Sequence, residues 1–118
     1  MIPLTVDQIV IDSRHPEESA RFWGALTGSP WGTRPDGWAW VEATPRLSFQ
    51  PVPEPKTGKS PVHLDLRTTD PDRAADQAVG LGATVLNSFH DDQGYVIVIA
   101  DPEGLEFCLT CPAGLADD

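Results

Sequence analysis

The sequence predicts a single α+β domain built from two βαβββ modules, and three observations support this. A pattern of strand, helix and three further strands occurs twice in the 118 residues. A segment rich in proline, at 52–61, separates the two occurrences. The chain also has the length of one ordinary domain, and its 40% of hydrophobic residues can fill a core. We therefore expect module 1 at 1–51, a linker at 52–61 and module 2 at 62–118.

Module 1 is predicted to open with a strand at 4–12. An amphipathic helix follows, because Pro16 suits a first helical turn, Phe22, Trp23 and Leu26 share one face, and Gly28 can end the helix. Two further strands are predicted at 38–43 and 46–50, with a short one near residue 31. The module therefore reads as strand, helix and three strands.

Module 2 repeats this order. A strand is predicted at 62–68, and Asp70 and Pro71 are typical residues for the N-cap and first position of the next helix. Gly82 is placed to end that helix. Strands are predicted at 83–86, 95–100 and 105–110, with a hairpin loop at 90–94 and a turn at 101–104.

The two modules can be superimposed along the sequence. Sliding the chain by 55 residues places Gln8 on His63, and a shift of 58 aligns 47–50 with 105–108. The alternative architecture is a ferredoxin-like α+β sandwich, which also repeats strands and helices. It uses fewer strands after each helix than the three predicted here, so we prefer the βαβββ repeat.

Charge and composition limit the partners. The formal net charge is −10, which disfavours nucleic acid and anionic membrane surfaces and favours a cationic small molecule. The N-terminal residues lack the pattern of a signal peptide, and no segment is apolar enough to span a membrane, so we expect a cytoplasmic protein. Cys108 and Cys111 have CxxC spacing but fall in a strand, where they should point to opposite faces, which argues against a redox pair.

Strand alternation places one apolar face and one polar face on each predicted sheet. Four strands carry polar, ligand-capable groups, and the strand at 38–43 adds two tryptophans. If the tryptophans share the polar face, the sheet offers a ligand site that is aromatic and polar at once. The candidate ligand-binding residues are Gln8, Trp38, Trp40, Gln50, His63, Asp65, Arg67 and Cys108. Asp65 and Arg67 could either pair with each other or fix a polar group of the ligand.

An ordered set of short motifs covers nearly the whole chain. It comprises Gln8, FW at 22–23 with LTG at 26–28, HLDL at 63–66, LGAT at 81–84 and DPEGLEFCL at 101–109. Together with the repeat, this set resembles the glyoxalase-like branch of the vicinal oxygen chelate superfamily, to which glyoxalases and bleomycin-resistance proteins belong.

The resemblance implies that the modules curl into a cup-shaped mixed sheet with the helices outside, and that the cup can hold a divalent metal. Family ligands come from the first and last strands of each module, which here are Gln8, Gln50, His63 and Cys108. Metal-using members carry histidines and glutamates at these positions. This chain lacks the carboxylates, so His63 is the one metal ligand we assign, and no cofactor is assigned with certainty.

We expect a glyoxalase-like protein that binds a small aromatic or cationic molecule in a cup lined by tryptophan, with drug resistance or sequestration as one version. The alternative is a metal-dependent lyase or dioxygenase-type enzyme with an atypical site around His63. A third hypothesis is an assembly role, with the cup filled by its own tryptophans. Catalytic residues are not assigned, because Gln50 cannot act as a base. A homodimer is expected from the family and from exposed sheet edges.

Overall fold

The computed structural model describes residues 1–114 and divides into two compact units, Met1–Lys56 and Thr57–Asp118. Each unit contains one strand, one helix and three further strands. Unit 1 consists of β1 (Gln8–Ser13), α1 (Pro16–Thr27), β2 (Trp31–Thr33), β3 (Ala39–Val41) and β4 (Arg46–Pro51). Unit 2 consists of β5 (Leu64–Arg67), α2 (Pro71–Gly80), β6 (Thr84–Asp91), β7 (Gly94–Ala100) and β8 (Glu106–Pro112).

The two sheets have the same topology. Unit 1 has the order β1-β4-β3-β2, and unit 2 has the order β5-β8-β7-β6. In each sheet the first strand pairs in parallel with the last, and the other pairs are antiparallel. The predicted α+β class and the duplicated βαβββ order are therefore confirmed. Three strands follow each helix, which is more than a ferredoxin-like sandwich provides.

Helix α1 forms because its sequence supplies a start, a buried face and an end. Pro16 occupies the first turn, and Phe22 and Trp23 are buried. Gly28 ends the helix with a φ of 65°, a left-handed conformation that glycine adopts without a steric penalty. The backbone N–H of Ser29 then donates to the Gly24 carbonyl at 2.9 Å, which satisfies one of the free carbonyls of the last turn.

Helix α2 has a side-chain cap at its start. Asp70 is the N-cap residue, and its Oδ1 accepts a hydrogen bond from the Arg73 backbone N–H at 3.2 Å. Pro71 follows as the first helical residue, as the sequence predicts. Ala75 and Ala78 form the buried face of this short helix. Neither helix within residues 1–114 has the length and apolar character needed to cross a lipid bilayer.

The core of each unit lies between its helix and one face of its sheet. Trp31, which pairs with Val41, faces α1, because a Cβ on Gly24 would lie 2.6 Å from the Trp31 ring. In unit 2 the Tyr95 hydroxyl donates to Asp72 of α2 at 3.2 Å, so the strand face that includes Tyr95 is the helix face. The fully or nearly fully buried side chains on these two helix faces include Val41, Leu47, Phe49, Ile97, Ile99, Phe107 and Leu109.

Strands β1 and β6 differ most from the predictions, and the bounds of the other predicted strands differ by up to two residues. Strand β1 begins at Gln8 rather than at residue 4. Strand β6 extends to Asp91, so His90 lies in a strand, stacked on Tyr95 at 4.1 Å between ring centroids, and not in a hairpin loop. Every residue of β6 is exposed and its register shifts between Val85 and Asn87. An exposed edge strand with a bulge has no regular hydrophobic alternation, which is why its length could not be predicted from the sequence.

Candidate functional site

The strand registers define a polar face on each sheet, opposite the helix. In unit 1 the β1 and β4 residues on this face are Gln8, Val10, Asp12, Arg46, Ser48 and Gln50. On the next strand, Trp40 of β3 stands opposite Ser48. Gly32 of β2 stands opposite Trp40. Trp40 therefore lies on the same face as the polar side chains. Trp31 and the fully buried Trp23 belong to the helix side of the sheet.

Trp40 is held in place by two neighbours. Its ring lies on the backbone of Gly32, because a Cβ at that position would come within 2.5 Å of Cζ2 of Trp40. The Arg46 guanidinium lies over the ring, with 5.5 Å between its Cζ and the ring centroid, and its Nη1 is 3.3 Å from Oε1 of Glu42. Arg46 Nε is buried and has no hydrogen-bond partner among residues 1–114. The predicted site set omitted Arg46 and Gly32, although the alternation that selected Gln50 also selects Arg46.

The two glutamines of the predicted site occupy opposite ends of the β1–β4 ladder. Gln8 is opposite Arg46 and Gln50 is opposite Asp12, which places them about 13 Å apart along the strands. Gln8 Oε1 accepts a hydrogen bond from the Ser48 hydroxyl at 2.5 Å, and Ser48 is buried. Gln8 is thus joined to Ser48 and not to Gln50.

Trp38 occupies a different setting from Trp40. It precedes β3, at the end of the turn that begins at Arg34, and its backbone N–H donates to Oδ1 of Asp36 at 3.1 Å. The Arg34 guanidinium lies 5.5 Å from the centre of its ring and pairs with the Asp36 carboxylate. Both tryptophans therefore already contact an arginine.

Unit 2 brings three predicted site residues together. Asp65 of β5 is the direct register partner of Cys108 of β8, and His63 immediately precedes β5. His63 Nε2 lies 3.1 Å from Asp65 Oδ1, so the Asp65 carboxylate pairs with His63 and not with Arg67 within the described part of the chain. The ligand atoms of the three residues all lie within 4.8 Å of one another.

The electrostatic setting keeps the Cys108 thiol protonated. Burial raises the pKa of Cys108 above its ordinary value, and the charge of Asp65 together with a hydrogen bond to its carboxylate raises it further. The Glu106 carboxylate acts in the same direction and the Lys59 ammonium acts against it. Without a cation, this thiol is a hydrogen-bond donor rather than a nucleophile.

The donors of this cluster fit a divalent metal of borderline softness. A tetrahedral zinc ion takes nitrogen and oxygen ligands at about 2.0–2.2 Å and sulfur at about 2.3 Å, which places ligand atoms roughly 3.5 Å apart. The separations among the His63, Asp65 and Cys108 ligand atoms are compatible with that spacing. Imidazole, carboxylate and thiol also match the ligand types that such ions select.

The 55-residue offset of the sequence and the strand registers together match residues of the two units. Asp65 corresponds to Val10 on the first strand, and their partners on the last strand are Cys108 and Ser48. The sequence alignment of 47–50 with 105–108 instead matched Cys108 with Gln50. Unit 1 thus places Gln8, Val10 and Ser48 where unit 2 places His63, Asp65 and Cys108.

Comparisons with known proteins agree with this architecture. A glyoxalase/bleomycin resistance protein/dioxygenase family enzyme from Burkholderia phytofirmans is 15% identical with a TM-score of 0.78, covering 90% of this chain and 97% of its own. A glyoxalase-related enzyme from Fulvimarina pelagi is 16% identical with a TM-score of 0.73, covering 96% and 95%.

A fosfomycin resistance protein from Listeria monocytogenes, in a mutant complexed with Mn(II) and 1S,2S-dihydroxypropylphosphonic acid, is 10% identical with a TM-score of 0.78, covering 92% of this chain and 90% of its own. No curated protein matches the chain.

The similar structures have the glyoxalase/bleomycin resistance/dioxygenase fold, which agrees with the duplicated βαβββ order. The family model described as "Glyoxalase-like domain" matches residues 8–110, which span both units. The chain therefore belongs to the glyoxalase-like domain family.

Proposed function

We propose that this protein binds a small aromatic molecule, preferably a cationic one, with Trp40 as the anchor of the site. The observation that carries the proposal is the position of Trp40 on the polar face of unit 1, backed by Gly32 and covered by the Arg46 guanidinium. Arg46 shows that the ring accepts a cation at about the distance typical of cation–π contacts. A cationic ligand can take the place of Arg46, which keeps its ion pair with Glu42.

Charge supports the preference for a cation. The chain has a formal net charge of −10, and such a field attracts cationic molecules and repels anionic ones. Gln8 and Gln50, on the same face as Trp40, add carbonyl and amide groups that can bind polar parts of a ligand. Sequestration of a drug is one version of this function, in line with the bleomycin-resistance and fosfomycin-resistance proteins among the similar structures.

The test compares two planar probes of similar size and opposite charge, 1-methylquinolinium and 1-naphthoate, by tryptophan fluorescence quenching and calorimetry. We expect saturable binding of the cation, weaker binding of the anion, and loss of cation binding in Trp40→Ala. Trp31→Phe is the control, because Trp31 lies on the helix face of the same sheet. Binding that survives in Trp40→Ala, or that favours the anion, would contradict the proposal.

A second candidate is a metal-dependent enzyme of the lyase or dioxygenase type, centred on His63. The convergence of His63, Asp65 and Cys108 favours it. The test is elemental analysis of protein purified without chelator, for the wild type and for His63→Ala. Near-stoichiometric metal that disappears in the variant would support this candidate. A metal-free wild type whose melting temperature is unchanged by added zinc, manganese, nickel and iron would rule this candidate out.

We also propose that two copies pair and that the protein acts in the cytoplasm. Strand β6 is an edge strand that exposes Val85, Leu86 and Phe89, and antiparallel pairing of two β6 strands would satisfy its free backbone groups in a symmetric dimer. Light scattering after size exclusion should give a dimer mass for the wild type and a monomer mass for Phe89→Lys. A wild-type monomer at all concentrations would contradict the pairing.

A further inference from the structure

Unit 2 holds a compact group of three chemically different metal-binding side chains, and the group lies on one sheet. We infer that His63, Asp65 and Cys108 form a metal site wholly within unit 2, selective for a borderline divalent cation such as Zn²⁺ or Co²⁺, with Asp65 as its carboxylate ligand. The inference deepens the second candidate function and is independent of aromatic binding at Trp40. It also assigns the carboxylate that the positions matched to the family ligands lack.

The fold brings the donors close together on one face of the sheet. Asp65 and Cys108 are register partners on adjacent parallel strands, so their backbones lie about 4.8 Å apart with side chains on the same face. His63 is two residues before Asp65, where an extended chain returns to the same face. Its Nε2 is 3.1 Å from Asp65 Oδ1, and the three ligand atoms span at most 4.8 Å.

The donor chemistry selects the metal. One imidazole nitrogen, one carboxylate oxygen and one thiolate sulfur suit Zn²⁺ or Co²⁺ better than Mg²⁺ or Ca²⁺, which prefer oxygen ligands alone. The carboxylate and the thiolate together would balance the charge of a divalent ion. When bound, such an ion supplies Lewis-acid polarisation of a ligand oxygen.

The equivalent positions in unit 1 serve as an internal comparison. They are occupied by Gln8, Val10 and Ser48, of which none ionises near neutral pH. Ser48 instead donates its hydroxyl to Gln8 at 2.5 Å. Within residues 1–114, the group in unit 2 is the one cluster of three or more such ligand atoms that converges this closely.

The competing explanation is an ordinary surface contact. His63 and Asp65 have half-exposed side chains, and an exposed polar contact of this kind adds little to stability. The two explanations differ in the state of the sulfur, because in a surface contact Cys108 only donates a hydrogen bond as a thiol, whereas a metal site requires its thiolate.

The experiment uses the full-length protein, freed of metal with a chelator and titrated with Co²⁺ under reducing conditions. We expect one equivalent of Co²⁺ to produce a thiolate-to-cobalt charge-transfer band in the near ultraviolet, and Zn²⁺ to displace it. Cys108→Ser should abolish the band, and Asp65→Asn and His63→Gln should each weaken Co²⁺ binding by about tenfold or more.

The matched control is Cys111→Ala, because Cys111 is the other free cysteine but is buried on the helix face three residues further along β8. It should give the wild-type spectrum, with far-ultraviolet circular dichroism confirming the fold of each variant. A wild type without the charge-transfer band, or a band that persists in Cys108→Ser, would overturn the inference.

A Gln8→Ala variant tests whether the site is confined to unit 2. Unchanged Co²⁺ affinity supports the single-unit site, and a loss would show that unit 1 supplies a ligand. Quenching of tryptophan fluorescence by 1-methylquinolinium is measured on the same metal-free protein, so a failure of aromatic binding is seen separately. Metal binding without any catalytic turnover would rule out the metal-dependent enzyme of the second candidate function, and the metal site itself would still be supported.

Discussion

The contact between Gly32 and Trp40 permits a substitution that should separate ligand binding from stability. In Gly32→Ala the new methyl group would lie 2.5 Å from Cζ2 and 2.9 Å from Cε2 of Trp40, well inside the 3.5–4.0 Å of a normal carbon contact. The ring must therefore move by about 1 Å or more. Trp40 is only partly buried, so it can move outward, away from the sheet.

The effects of Gly32→Ala on protein stability and on ligand affinity differ in magnitude. Gly32 does not have a positive φ, so alanine fits its backbone and stabilises the protein by about 0.4–1 kcal/mol through the unfolded chain. This offsets a crowding cost of about 1 kcal/mol, and the free energy of unfolding should hardly change. The displaced ring loses its cation–π contact with the ligand, about 0.5–2 kcal/mol, so the affinity for 1-methylquinolinium should fall roughly 2- to 30-fold.

Gly24→Ala is the matched control on the other face of the sheet. Its methyl group would lie 2.6 Å from Cδ1 of Trp31 and 3.1 Å from the backbone oxygen of Ser29. Gly24 is buried in α1 and that oxygen belongs to the backbone, so the clash should outweigh the gain of about 1 kcal/mol in helix propensity.

Urea unfolding and fluorescence titration should therefore give opposite patterns for the two variants. Gly32→Ala should lose affinity and keep its stability, and Gly24→Ala should lose stability and keep its affinity. The reasoning is refuted if Gly32→Ala binds the cation as the wild type does, or if both variants lose stability alike.

Three further predictions concern charged side chains. Asp101 is buried and its Oδ1 accepts two backbone N–H groups at 2.8 and 2.9 Å, so Asp101→Ala should lower the unfolding free energy by about 2–4 kcal/mol in urea titrations, and a loss below 1 kcal/mol would contradict this. Asp70→Ala removes the α2 cap on Arg73 and should cost about 1 kcal/mol in the same assay, whereas an unchanged midpoint would show that water replaces the cap. The pKa of Cys108 is raised above the ordinary value of 9.0, so the contribution of Cys108 to stability is present below pH 9.0 and is lost as the pH rises further. Asp65 helps to raise this pKa, so iodoacetamide should modify Cys108 faster at pH 8 in Asp65→Asn than in the wild type, both in a background lacking the other cysteine. Equal rates would refute the role of Asp65.

The parts of the fold that the sequence predicted correctly depend on local signals. The start of α2 was predictable because Asp70 and Pro71 are typical of a capped first turn, and the Asp70 side chain does cap the helix. The opposite orientations of Cys108 and Cys111 followed from the two-residue period of a strand. Their neighbours in the sheet bear this out, since Cys108 is opposite Asp65 and Val98, and Cys111 is opposite Tyr95.

The parts that the sequence could not predict depend on register. Alternation placed Gln8, Gln50, Asp65 and Cys108 on polar faces, but it carries no information on which residues stand opposite each other in neighbouring strands. The register joins Asp65 to Cys108 and separates Gln8 from Gln50. The alternation of residues along a strand also does not give the direction of each side chain, so only the structure shows that Asp65 pairs with His63 and not with Arg67.

Equivalent positions in the two units carry different chemistry. Trp40 and Gly32 in unit 1 correspond by register to Val98 and Asn87 in unit 2, so the aromatic group and the glycine that accommodates it occur in unit 1 alone.

The ionisable group of His63, Asp65 and Cys108 occurs in unit 2, where unit 1 has neutral residues. Because a duplicated fold offers each position twice, one unit can supply an aromatic, cation-accepting surface while the other supplies donors for a metal. Aromatic binding and metal binding should therefore be separable by mutation: Trp40→Ala should leave Co²⁺ affinity unchanged, and Cys108→Ser should leave the affinity for 1-methylquinolinium unchanged in metal-free protein.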